Sequence, residues 1–180
     1  MELTRETGPG AALSLGLVAG AVLLAAEIVA ALLAGLSPRL PLRVAASLVM
    51  GSAAIEGPPA FGVMVLGTLL HLALAALYGW IYGAIHRVAS PAAQRSFGLQ
   101  ALGGATFGLA LWVVNVQIVA RGLYPWVLER DPWVQALLHV AAFGVPLGLL
   151  FAGAASRPLS GRPVSQRPAG QRRVDTLRRP

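Results

Sequence analysis

Four apolar runs, 11–34, 61–85, 97–120 and 134–155, constrain this chain of 180 residues more than any other feature. A helix rises 1.5 Å per residue, so runs of this length reach across a hydrocarbon core of about 30 Å. Within a bilayer the backbone must satisfy its own polar groups, which a helix does turn by turn. The expected fold class is therefore all-α, an integral membrane four-helix bundle. Composition agrees, since 56% of residues are hydrophobic, 12% are charged, and the mean hydropathy is +0.69. Those values lie outside the range of ordinary soluble domains. The first run is too long for a signal peptide, whose apolar core spans about 7–15 residues, and is expected to be retained.

Between the first two runs, Ser37-Pro38 reads as a helix start, and Arg39, Arg43 and Ser47 then fall on one face. A short helix over 38–51 is expected to lie in the membrane interface, followed by a break at Glu56-Gly57-Pro58-Pro59. Tyr124, Trp126 and Trp133 surround the link to the last run, as interfacial aromatics do.

Charge divides the chain differently. All 14 basic residues are Arg, and seven of them lie in 156–180 with only Asp175 against them, while residues 1–155 are close to neutral. The expected organisation is a lead at 1–10, a membrane domain at 11–155 and a disordered Arg/Pro-rich tail at 156–180. Arg-Pro recurs there at 157, 162 and 167. Such a tail is drawn to anionic lipid headgroups. It lacks the interleaved aromatics on which bases stack, so nucleic acid is not an expected partner. The Arg bias places both termini in the cytoplasm, and the expected location is a bacterial cytoplasmic (inner) membrane, crossed four times.

One acid interrupts the first run. Glu27 would cost about 2.5–3.5 kcal/mol at the centre of a bilayer, so it needs partners. An internal repeat supplies them. Gly16, Gly20 and Glu27 recur as Gly104, Gly108 and Asn115 at an offset of 88, and Leu69-Leu70-His71 recurs as Leu137-Leu138-His139. This pattern reads as a two-helix hairpin used twice in the same orientation, with the interfacial helix inserted into the first copy. Each run also carries Gly-x3-Gly: Gly16 with Gly20, Gly79 with Gly83, Gly104 with Gly108, and Gly144 with Gly148. Glycines one turn apart let helix backbones approach closely, in a tight bundle, a homo-oligomer or a larger membrane complex.

Counted inward from the outer ends of their runs, Glu27, His71, Asn115 and His139 lie at a shared depth of roughly 8 to 15 Å. Thr68 and Gln135, each one turn before a histidine, are expected to face the same way in support. Three readings fit this cluster. It is a hydrogen-bond network holding the helices in register, or a proton, ion or divalent metal site, or a pair of axial ligands for b-type haem in an electron-transfer subunit. The chain has no cysteine, which excludes disulfides and thiolate ligands. It also contains no Gly-x-Ser-x-Gly, His-Glu-x-x-His or phosphate-cradling loop, so the expected protein is not an enzyme. His86, at the end of the second run, is expected to be ordinary.

The layout of His71, Trp112, Pro125, His139, Gly144 and Gly148 resembles small four-pass bacterial inner-membrane proteins of uncharacterised function. That resemblance implies a fold and a location but brings no activity. The function expected from the residues is binding or conduction of a cation or proton through Glu27, His71, Asn115 and His139.

Overall fold

A computed structural model describes residues 8–58 and 60–157 of the chain. The expected lead and tail fall largely outside the described residues. Four helices are long and apolar enough to cross a membrane: α1 (Pro9–Leu33), α4 (Phe61–Val88), α6 (Phe97–Leu123) and α7 (Pro132–Ala155). Three short helices, α2 (Leu40–Met50), α3 (Ala53–Glu56) and α5 (Pro91–Arg95), lie in the connections. No strand occurs among the described residues.

Local chemistry sets the ends of the helices. Ser96 caps α6 by accepting a hydrogen bond from the Leu99 amide. Asp131 caps α7, accepting from the amides of Trp133 and Val134 at 2.8 and 3.2 Å, with Pro132 at the first helical position. The short helix starts later than expected. It begins at Leu40, because Ser37 makes only a local bond to the Arg39 amide at 3.3 Å and caps no helical turn. It ends at Met50, within a residue of the expected end, where Gly51 takes a φ of +70°, a left-handed conformation that a side chain resists.

Of Arg39, Arg43 and Ser47, the residues expected on one face of this helix, only Arg39 is exposed. Ser47 is fully buried. Arg43 turns its guanidinium onto the carbonyl oxygens of Ala54, Ile55 and Gly57, which ties α2 to the segment that follows it. Arginine supplies several donors in a fixed fork, so one side chain can satisfy three carbonyls that the broken helix leaves open.

Packing of the long helices follows their glycines. α1 lies against α4 and α6 against α7, the two pairs meeting along α1 and α7. A methyl group added at Gly16 would strike the Ala75 carbonyl and the Gly79 backbone, and one added at Gly79 would strike Gly16 and the Ala12 carbonyl. The second pair repeats this. Gly104 meets the Gly144 carbonyl and Gly148 backbone, and Gly108 meets His139 and Val140.

Gly83 departs from the expected backbone approach. A methyl added there would lie 2.7 Å from the Ala12 methyl and 3.3 Å from the Phe151 ring, and no backbone atom is among its near neighbours. Its role is to make room for side chains of α1 and α7 beside α4, because Phe151 occupies the place that a facing helix backbone takes at Gly79. Gly20 likewise faces a side chain first, the methyl of Ala75. All four Gly-x3-Gly pairs nevertheless serve packing inside the chain. Gly67 plays the same part for α2, whose Leu42 carbonyl rests against it. Between the helix pairs, Phe143, Leu147 and Phe151 form a solid apolar layer, each at most 2% exposed.

α6 and α7 are not α-helical throughout. Val113–Ala120 and Leu138–Gly144 are π-helical, the wider turn in which each amide reaches one residue further back. The contacts of α6 give a reason in α7. Gly104 and Gly108, four residues apart, meet the backbone carbonyls of Gly144 and His139, which are five apart, whereas Gly20 meets α4 mainly through the Ala75 methyl and the His71 ring. One extra residue between two fixed packing points is absorbed as a π turn. No such count explains the π turn in α6.

Candidate functional site

A cavity of about 350 Å³ lies at the end of the long helices where α2 crosses them. α1 contributes Leu23 and Glu27, α4 contributes His71, Leu74, Ala75 and Tyr78, and α6 contributes Leu111, Asn115, Val116, Val119 and Ala120. α7 adds Gln135, His139 and Phe143. The cavity thus gathers Glu27, His71, Asn115 and His139 on one surface, with Gln135 beside them. Thr68 does not line it; its hydroxyl donates to the Met64 carbonyl one turn back, at 2.8 Å.

Three contributors were not read from the sequence. Tyr78 donates to the side-chain oxygen of Asn115 at 3.0 Å, linking α4 to α6. Its signal was present, since it lies two turns beyond His71 and so on the same face. α2 forms one wall through Pro41, Val44, Ala45 and Leu48, and Tyr124 and Val127 form another. Trp126 holds that loop in place by donating from its indole nitrogen to Ser47 at 3.0 Å, while Ser47 donates to the Val44 carbonyl at 2.7 Å. The aromatics taken for interfacial anchors therefore include one that closes the site.

The histidines are held in different ways. His71 Nε2 lies 2.8 Å from the Gly20 carbonyl oxygen, across the α1–α4 contact. His139 Nδ1 lies 2.8 Å from the Gln135 carbonyl oxygen on its own helix. A carbonyl oxygen only accepts, so each of these nitrogens carries hydrogen. In the neutral ring the other nitrogen is then a bare acceptor: Nδ1 of His71 and Nε2 of His139.

Glu27 makes no hydrogen bond or ion pair among the described residues, and His71 and Arg130 are the ionisable groups near it. Arg130, in the loop before α7, has a buried Nη2 without a hydrogen-bond partner. Burial lowers the pKa of its guanidinium from the ordinary arginine value, and the nearby Glu27 charge raises it again. Arg130 and Glu27 thus lie near each other without forming an ion pair.

The donor set bears on each cofactor reading. No three His, Cys, Asp or Glu side chains come together as a metal-binding group among the described residues. The Nε2 of His71, the nitrogen that a haem iron would need from that edge of the ring, is already committed to Gly20.

At the other end of α4, His86 is only 3% exposed, with its ring against Phe151 at 5.0 Å and its Nε2 unpartnered. It is a buried group and not an ordinary interfacial histidine. Nearby, Tyr82 donates to the Gln100 side chain at 2.9 Å. The Phe143, Leu147 and Phe151 layer belongs to the same core as Tyr82, and Phe143 also lines the cavity. No family model, curated protein or solved structure matches the chain.

Proposed function

We propose that this is a four-pass protein of a bacterial cytoplasmic membrane, a bundle built from a duplicated two-helix hairpin, that binds a cation or proton at Glu27, His71, Asn115 and His139. One observation carries the reading: four polar residues separated widely in sequence line a single cavity, and its acid has no direct partner among the described residues. An acid kept only to hold helices in register would be satisfied by a neighbouring donor. Glu27 instead remains available. The protein is not proposed to be an enzyme.

The glycine faces support this reading over a subunit that docks into a larger complex through them, because those faces are used within the chain. The apolar layer below the cavity supports binding from one side. Conduction would require a second conformation in which Phe143, Leu147 and Phe151 part.

Infrared titration of the full chain in lipid tests the proposal. A protonated-carboxyl band should rise and fall reversibly with the pH of the aqueous phase, and Glu27→Gln should remove it from the difference spectrum. A Glu27 band that does not respond to pH would mark a sealed structural acid and end the proposal.

A further inference from the structure

Resting on the reading that Glu27 is an available cation or proton site, we infer that the occupant is an organic ammonium cation with a small apolar or aromatic body. Size is the first argument. A cavity of about 350 Å³ falls within the range of sites for small organic molecules, roughly 300–1,000 Å³, and far exceeds what a bare metal ion fills. Its walls are mostly aliphatic, with Tyr78, Tyr124 and Phe143 added, and its polar groups are few.

Hydrogen-bonding polarity is the second argument. The Gly20 and Gln135 carbonyls take the N–H of each histidine, so neutral His71 and His139 offer acceptors. Neither remaining nitrogen is among the buried atoms left without a partner, so neither is sealed away. The Tyr78 hydroxyl spends its hydrogen on Asn115. The side-chain amides of Asn115 and Gln135 also line the cavity and bring N–H donors, so the feature that favours a cationic donor is the Glu27 carboxyl group set beside the acceptor nitrogens of His71 and His139. An ammonium group supplies two or three N–H donors and a positive charge together. Aromatic faces beside it add cation–π attraction.

Arg130 fits the same scheme. It lies near Glu27 and makes no ion pair with it among the described residues, so the Glu27 oxygens are left to a closer cation.

Calorimetric titration of the full chain in detergent, with phenethylamine and with phenethyl alcohol as its uncharged counterpart, tests the inference. The amine should bind at least tenfold more tightly than the alcohol, and Glu27→Gln should remove that preference. Circular dichroism establishes that the variant is folded. If it is not, Glu27→Asp should retain the preference for the amine. Equal affinity for the two probes, or an amine preference that survives in folded Glu27→Gln, overturns the inference. A pH-responsive Glu27 with no amine preference would leave the cation or proton reading standing and remove this one alone.

Discussion

The α1–α4 and α6–α7 pairs close on glycine in the same manner, yet they treat their polar residues differently. In the first pair both helices are α-helical throughout, and His71 bonds across the contact to Gly20. In the second, both helices contain a π turn, and His139 bonds back to its own helix. The side chain of the first histidine therefore ties two helices together, whereas that of the second bonds within one, and only its backbone carbonyl meets Gly108.

Deletions should separate the two pairs most sharply. Removing Ala73 from α4 would rotate one end of the helix by about 100° relative to the other, so Gly79 and His71 could not both meet α1. We expect loss of the folded protein, read as loss of monodisperse material on size-exclusion chromatography. Removing Ala141 from α7 should convert the π turn to α geometry and give His139 and Gly144 the spacing of His71 and Ala75. That deletion should cost no more than about 1 kcal/mol. Equal damage from both would dissociate the π turn from the extra residue.

Glycine substitutions come next. At Gly104 and Gly148 an added methyl meets backbone carbonyls, whereas at Gly20 it meets the Ala75 side chain. Backbone moves less readily than side chain, so Gly148→Ala should cost about 3 kcal/mol, the upper end for overpacking, and Gly20→Ala nearer 1–2 kcal/mol. Unfolding midpoints in mixed micelles would measure this, and a larger loss at Gly20 would contradict the backbone argument.

These differences mark what the sequence could convey. The four long helices were legible because length and hydropathy decide them locally, and the glycine pairs because Gly-x3-Gly has one dominant physical use between helices. The motif did not distinguish Gly83, which faces the Ala12 and Phe151 side chains, from Gly79, which faces backbone, because spacing along one helix is silent about what lies opposite. Depth placed Glu27, His71, Asn115 and His139 at one level but did not decide which way each residue faces, as Thr68, turned back to the Met64 carbonyl, shows. The wall formed by α2 was not legible. It depends on Trp126 reaching Ser47, 79 residues away, and on Gly67 admitting the Leu42 carbonyl, neither of which has a periodic signature. Arg43 misled for a related reason: a charge on one face of a short helix reads as solvated unless the carbonyls it will cap are known. The π turns required counting residues between contacts that only the folded chain supplies.

The histidines allow a finer test. His71→Ala removes a bond between helices and should destabilise by about 1–1.5 kcal/mol. His139→Ala removes only a local bond to the preceding turn, and should cost less than about 0.5 kcal/mol. The same unfolding midpoints apply, and reversal of this order would place the structural histidine in the second pair.

The smallest effect expected of a bond between helices joins the two pairs. Tyr78→Phe keeps the ring against Phe143, at 6.2 Å in an edge-on arrangement, and loses only the hydroxyl that bonds Asn115. Side-chain hydrogen bonds between membrane helices average about 0.6 kcal/mol, so stability should fall by about that amount. Asn115→Ala should cost a similar amount, and the double variant should cost less than the sum, because either change alone removes the bond. Additive losses would show that Tyr78 and Asn115 act separately, and that the two pairs are held together by the apolar layer of Phe143, Leu147 and Phe151 without help from the cavity.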